Sequence, residues 1–230
     1  MPELPDWFRP VAEYMLREGL PETLRLAAIA VTASAVIGVL LGTLMTIKFR
    51  PLQWLIRLYI EVWRGLPILV MVLFIYWLPD YRVGPFHIQL NAYMSAAVAL
   101  SLWGSAQVAE ATRGAVQSIP KEQHEAAAAL GFGWVGRHSA VILPQALRRL
   151  LPPFVSLLVN IIQNSTLAQT IGGVEILQAS KSQSERLSYP PPIGIGEIHA
   201  FEIFAGVLIL FFAISFPLTR LAAFLEKRLV

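Results

Sequence analysis

The apolar residues of this chain come in long runs rather than at alternate positions. Leu26 to Ile47, Ile88 to Ala109 and Leu150 to Val174 contain no charged side chain. Leu52 to Leu78 and Phe201 to Leu221 have apolar centres, with charges held towards their ends. A helix rises 1.5 Å per residue, so runs of this length cross about 30 Å of hydrocarbon. The pattern predicts an all-α integral membrane protein of about five transmembrane helices.

One segment breaks the rule. Between the third and fourth runs, Gln123 to Leu130 (QHEAAAAL) is built from strong helix formers, and Gly131 and Gly133 offer a cheap chain reversal. Ser118 and Pro120 stand where such a helix would begin. The expectation is a short helical hairpin outside the bilayer, over residues 118–144. Composition alone fits an ordinary surface helix equally well.

More than half of the chain is apolar and 14% is charged, which excludes a soluble domain and leaves no room for a separate catalytic one. Without cysteine, disulfides and thiolate metal sites are excluded. Lys48, Arg50, Arg57, Arg113, Lys121, Arg137, Arg148, Arg149, Arg220, Lys227 and Arg228 fall on one set of loops. The opposite set carries chiefly Arg9, Arg17, Arg82, Lys181 and Arg186. Positive residues are retained on the cytoplasmic side, so the N-terminus is expected outside and both the hairpin and the C-terminus inside. These cations are spread over membrane rims, unlike a nucleic-acid-binding face. Residues 1–20, with Glu3, Asp6, Glu13 and Glu18, lack the apolar core of a cleavable signal and read as an amphipathic external lead-in. Lys181 to Pro192, rich in Ser and Pro, reads as part of an external loop over residues 179–200.

Several motifs fail on context. Gly131-Phe132-Gly133-Trp134-Val135-Gly136 has dinucleotide spacing, but an Ala-rich helix precedes it where a strand is required. His124-Glu125 opens like a zinc-protease helix, yet position 128 is alanine. No phosphate-binding loop or nucleophile elbow is present. Gly38-x-x-x-Gly42 lets two helices approach closely, within the chain or across a dimer. Glu61 and Arg64, three apart, form a candidate ion pair ahead of Gly65 and Pro67, with an interfacial anchor beside Trp63 as the plainer reading. Gln163, Asn164, Ser165, Thr166 and Gln169 stand at membrane depth, where polar groups line a cavity or bond between helices. A loosening of the helix ahead of Gly172 and Gly173 would present several of them together.

The hairpin resembles the EAA loop of permease subunits of bacterial ABC importers: Glu125-Ala126-Ala127, Gly131 six residues after the Glu, then Leu143-Pro144. Glu61-x-x-Arg64-Gly65-x-Pro67 and Glu110-Ala111-Thr112-Arg113-Gly114 look like the polar amino-acid branch of that family. Two departures stand out. Gln107 replaces the Tyr usual three residues before Glu110, and Gln163-Asn164-Ser165-Thr166-Leu167 stands where Lys-Asp-Thr-Ser-Leu is frequent.

The resemblance implies one type I importer transmembrane domain over residues 1–230, in a multi-pass chain of the bacterial inner membrane. Such a chain would take up a polar amino acid by alternating access. The implied partners are ABC ATPase subunits, a second permease subunit of the same or a homologous kind, an external substrate-binding protein and the lipid bilayer. Catalysis, and the ATP and Mg it needs, would reside in the ATPase subunits, with no cofactor in this chain. Glu125, Ala126, Ala127, Gly131, Leu143 and Pro144 would couple to the ATPase. Gln107, Gln163, Asn164, Ser165, Thr166 and Gln169 would line the substrate path, and Glu61, Arg64, Gly65, Pro67, Glu110 and Arg113 would serve structure or gating. An ion-coupled secondary transporter needs buried acids or histidines, and a membrane enzyme needs a nucleophile with its base. The uncharged centres of the runs argue against the first, and no such constellation for the second stands in the sequence.

Overall fold

In hydrocarbon a segment must satisfy its own backbone hydrogen bonds, and the long apolar runs do so as helices. A computed structural model describes residues 5–78, 81–83, 86–88, 90–191 and 193–229. Its elements are α1 (Phe8–Tyr14), α2 (Leu20–Leu44), α3 (Arg50–Gly65), α4 (Ile68–Tyr76), β1 (Tyr81–Val83), β2 (Phe86–Ile88), α5 (Ala92–Gln117), α6 (Lys121–Ala129), α7 (Trp134–Arg137), α8 (Leu143–Asn164), α9 (Ile176–Ser188) and α10 (Ala200–Leu229). A π turn, Met15–Gly19, joins α1 to α2, another, His138–Ile142, joins α7 to α8, and a 3-10 segment, Ser165–Ile171, extends α8.

Among the described residues, three helices are long and apolar enough to cross a membrane: Phe8–Leu44, Trp134–Ile171 and Ala200–Leu229. The pair α3 and α4 makes a fourth if counted as one broken span. The expected third run is helical in α5, whose 26 residues are long enough but diluted by Ser95, Ser101, Ser105, Gln107 and Glu110.

Four expectations are corrected. The N-terminal lead-in is helical and continuous with the first span from Phe8. The second run breaks at Leu66, which is extended (φ −86°, ψ 140°) because Pro67 follows and disfavours the helical conformation before it. The third begins at Ala92, since Ile88 lies in β2, paired antiparallel with β1, and Asn91 Oδ1 caps the helix by accepting from Met94 N at 2.8 Å. The expected external loop over residues 179–200 is helical as far as Ser188, in α9, which buries Ile176, Ala179, Ser180, Gln183 and Ser184. Glu3 and Pro192 lie outside the described residues.

The chain divides into two compact units. The first comprises Met1–Ala30, Ile68–Leu100 and Ile161–Phe216. Its core joins Val11 and Met15 to Ile203 and Val207, with Leu177, Leu187 and Phe204 around them. The π turn lies so close to α9 that a Cβ on Gly19 would stand 2.8 Å from Ile176 Cα.

That approach places Thr23 Oγ1 where it accepts from Ile176 N at 3.0 Å. Glu175, fully buried, accepts from Leu177 N and Gln178 N, each at 2.8 Å. Three orphan donors of the first turn of α9 are thereby satisfied. Burial pushes the Glu175 carboxyl up to about 7, against the two backbone bonds that lower it.

The second unit comprises Val31–Pro67, Ser101–Asn160 and Pro217–Val230. Here α2 crosses α5 at the small-residue face. A Cβ on Gly38 would lie 2.4 Å from Val108 Cβ, and one on Gly42 2.4 Å from Ala109 O. The Gly-x-x-x-Gly face therefore packs within the chain. Ile56 and Ile60 of α3 pack on Ala109, and Tyr59 Oη lies 2.6 Å from Ser105 Oγ.

An acid raised from its ordinary 4.5 to about 7 takes up a proton on folding. The associated stability is complete below the ordinary value, declines as pH rises towards about 7, and is absent above it. The thermal midpoint of the wild-type protein should therefore fall between pH 5 and pH 8 relative to that of Glu175→Gln. Parallel pH profiles for the two proteins would refute this assignment.

Candidate functional site

The segment that interrupts the spans is a hairpin in the second unit, made of α6, a glycine turn and α7. Ala127, its one buried side chain on α6, anchors the helix. The chain turns at Gly131, whose φ of +84° falls in the left-handed region. Around it Gly131 N donates to Ala128 O at 2.9 Å and Phe132 N to Ala127 O at 3.1 Å. This is the paired closure of a Schellman motif, with glycine where a side chain would be strained. Gly133, by contrast, is in ordinary extended geometry (φ −64°, ψ 177°), so the reversal rests on Gly131 alone.

The outer face of the turn is unpartnered among the described residues. Leu130 is 79% and Val135 71% exposed, with Phe132 partly exposed between them. Glu125 points outward and lies 3.8 Å from Lys121 one turn earlier. Leu143 and Pro144 open α8, which continues from the hairpin without a break.

Three residues that sequence reasoning missed tie this hairpin down. His138, buried, places Nδ1 2.9 Å from the Trp134 carbonyl, which can only accept, so Nδ1 donates. Its Nε2 lies 3.0 Å from Thr46 Oγ1 just beyond α2, and its ring stacks on Trp134 at 4.2 Å. Arg149 of α8 donates to Ser118 O at 2.6 Å and to Ser118 Oγ at 2.8 Å. Beside these ties lies a cleft of about 580 Å³ reached by Lys48, Lys121, His124, Glu125 and Arg137.

Gln107 lies on α5 with Trp103 and Ala111 on the same stripe, and faces Ser156 and Asn160 of α8 across a pocket of about 400 Å³. Phe154 closes one wall. Gln163 to Gln169 belong to the first unit. The loosening expected ahead of the glycine pair is corrected: the helix tightens into the 3-10 segment and ends at Gly172 in the left-handed conformation (φ +76°). Ser165 is buried and donates to Ile162 O at 2.7 Å, while Thr166 donates to Gln163 O at 2.8 Å. Gln163 Nε2 donates to Ser215 Oγ at 3.4 Å. Two members of the cluster thus spend their hydroxyls on their own helix.

The Glu61–Arg64 pair is corrected. Glu61 instead meets Arg57, four residues earlier on the same helix face, at 3.2 Å. Glu110 and Arg113 do pair, with Arg113 Nε donating to Glu110 Oε2 at 3.0 Å, and Arg113 Nη1 also donates to Gln117 Oε1 at 2.6 Å.

Membrane-length helices interrupted by an exposed, glycine-closed hairpin define a membrane-embedded chain with a loop open to solvent. Residues 34–230 match the binding-protein-dependent transport system inner membrane component, and the chain belongs to that family. The probable glutamine ABC transporter permease protein GlnM of Bacillus subtilis (strain 168) is 31% identical over 217 residues, 94% of this chain and 93% of its own length. The glutamine transport system permease protein GlnP of Escherichia coli (strain K12) is 34% identical over 220 residues, 94% of this chain and 93% of its own.

A crystal structure of an amino acid ABC transporter with histidines superposes with a TM-score of 0.79 at 25% identity, covering 98% of this chain and all of that one. The inward-facing MetNI methionine ABC transporter shares the fold, with a TM-score of 0.76 at 19% identity over 96% of this chain and 98% of its own.

Valine at Gly131 must adopt a conformation that costs a β-branched residue about 1–3 kcal/mol. Amide hydrogen exchange over residues 121–132 should accelerate in Gly131→Val and stay unchanged in Gly133→Ala. Equal protection in the two variants would place the turn elsewhere.

Proposed function

We propose that this chain is the permease subunit of an ATP-driven importer of a polar amino acid, and that ATPase subunits dock on the hairpin of residues 118–144. The observation that carries this reading is the hairpin itself. Its Gly131 turn is fixed from within, its base is tied to the end of α2 and to α8, and its Leu130 and Val135 face outward, with Glu125 exposed beside Lys121. The names of the relatives, two of them glutamine permeases, support the amino-acid class.

In this mechanism ATP closes the ATPase dimer and draws the hairpins of two permease subunits together. Leu143 and Pro144 pass the displacement into α8, while Thr46 and His138 pass it into the end of α2. The solute path then opens to the other face as a shift between two populated states. An external binding protein delivers the solute. The distribution of Lys and Arg supports a cytoplasmic hairpin. The substrate path is assigned to Gln107 and to Gln163, Asn164 and Gln169, whose amides bond to an ammonium or a carboxylate without a fixed charge.

The docking role is tested with the reconstituted importer. Gly131→Val should lower both uptake and binding-protein-stimulated ATP hydrolysis, while the complex still assembles. Normal coupling in that variant would overturn the docking assignment.

The path is tested by Gln107→Leu. One lost hydrogen bond to a charged solute group is worth about 1.5–3 kcal/mol, or roughly tenfold to over a hundredfold in affinity. Uptake at saturating binding protein should fall on that scale with basal ATP hydrolysis unchanged. Wild-type uptake would remove Gln107 from the path.

A further inference from the structure

Arg50, Arg57 and Arg64 recur at seven-residue intervals, which on a helix of 3.6 residues per turn places them along one stripe of α3. Two other stripes flank it. Ile56 and Ile60 are buried against α5. Trp54, Leu55, Leu58 and Val62 are exposed, Trp54 to 68%. A cationic edge beside an exposed apolar face suits a helix lying at the boundary of water and hydrocarbon.

Where α3 begins, the cationic stripe opens on a pocket of about 400 Å³ between Met45, just past α2, and the last turns of α5. Arg50, Arg57 and Arg113 line it together with Trp54, Gln53 and Gln117, and no carboxylate does. The nearby acids are engaged, Glu61 with Arg57 and Glu110 with Arg113. Arg50 has no partner among the described residues.

We propose that this pocket holds the phosphate of an anionic phospholipid headgroup, with the acyl chains lying along Trp54, Leu55 and Leu58. The guanidinium fork matches the oxygens of a phosphate and holds them by charge-assisted bonds. A soluble phosphate would satisfy the arginines but leave the exposed apolar stripe uncovered. A phospholipid covers both at once. The pocket lies on the same loops as the hairpin, the side on which basic residues accumulate.

The importer complex, with its partner subunits, is placed in nanodiscs of phosphatidylcholine containing a minor fraction of phosphatidylglycerol. Native mass spectrometry then counts the lipids that each complex retains. The wild type should retain phosphatidylglycerol above its bulk proportion. The preference should drop about fivefold for each arginine replaced in Arg50→Gln and Arg57→Gln, as expected for about 1 kcal/mol per basic residue at an anionic surface.

Retention in bulk proportion by the wild type overturns the proposal, and so does a double variant that keeps the preference. Inorganic phosphate bound in lipid-free detergent, with no phosphatidylglycerol preference, would assign the pocket to a soluble anion instead. The wild-type preference should also weaken as salt rises, and a salt-insensitive preference overturns the proposal even if the variants fail to assemble. Lipid counting requires no transport, so its failure leaves the importer reading untouched.

Discussion

The fold depends on one requirement: every backbone N–H and C=O at membrane depth must find its partner within the chain. Continuous helices meet it within themselves, and at three breaks among the described residues local groups substitute. Gly172 and Gly173 donate back to Gln169 and Ala168 at 3.0 and 2.8 Å, the same paired closure that Gly131 and Phe132 make at the hairpin. At the start of α9 there is no glycine, and side chains take over. Thr23 and Glu175 accept the three first donors, and the carboxylate is buried to do so. The raised proton affinity of Glu175 is the visible cost of starting a helix in a dry place.

Side-chain packing then assigns different work to different faces of one helix. On α5, Ser105, Val108, Ala109 and Thr112 form the face that α2 and α3 approach, closely enough that glycine is required at positions 38 and 42. Trp103, Gln107 and Ala111, four apart, form another face and border the pocket towards α8. Helical spacing places these two sets on separate stripes. The tight crossing with α2 therefore holds Gln107 at its pocket without occupying the polar surface that a solute would need.

Much of this was legible in the residues. Membrane-length helices followed from long apolar runs, and the Gly131 turn followed from glycine's tolerance of positive φ. What was misread had a common cause, that tertiary contacts outweigh local propensity. Lys181 to Ser188 looks like a loop because serine is indifferent to helix. It is helical because Glu175 caps it and Ile176, Ala179 and Ser180 are buried. Glu61 has an arginine on either side in sequence, and spacing alone did not decide which one it meets. The ties made by Thr46, His138 and Arg149 join segments up to 92 residues apart, for which a single sequence carries no signal.

Those ties bear on how a hairpin of so few buried residues could transmit force. Alone, α6 and α7 would pivot on the Gly131 turn, since Leu130, Phe132 and Val135 have little beneath them. Arg149 fastens the entrance of the hairpin to α8 through Ser118, and His138 fastens its exit to the end of α2 through Thr46. A load on the outer face therefore cannot rotate α6 without straining hydrogen bonds at both ends. The less costly motion carries the hairpin together with the adjoining turns of α2 and α8 as one body. On the proposed mechanism this separates two requirements, an adaptable apolar surface for the partner and a stiff attachment to the membrane helices, and assigns them to opposite faces of the same short segment.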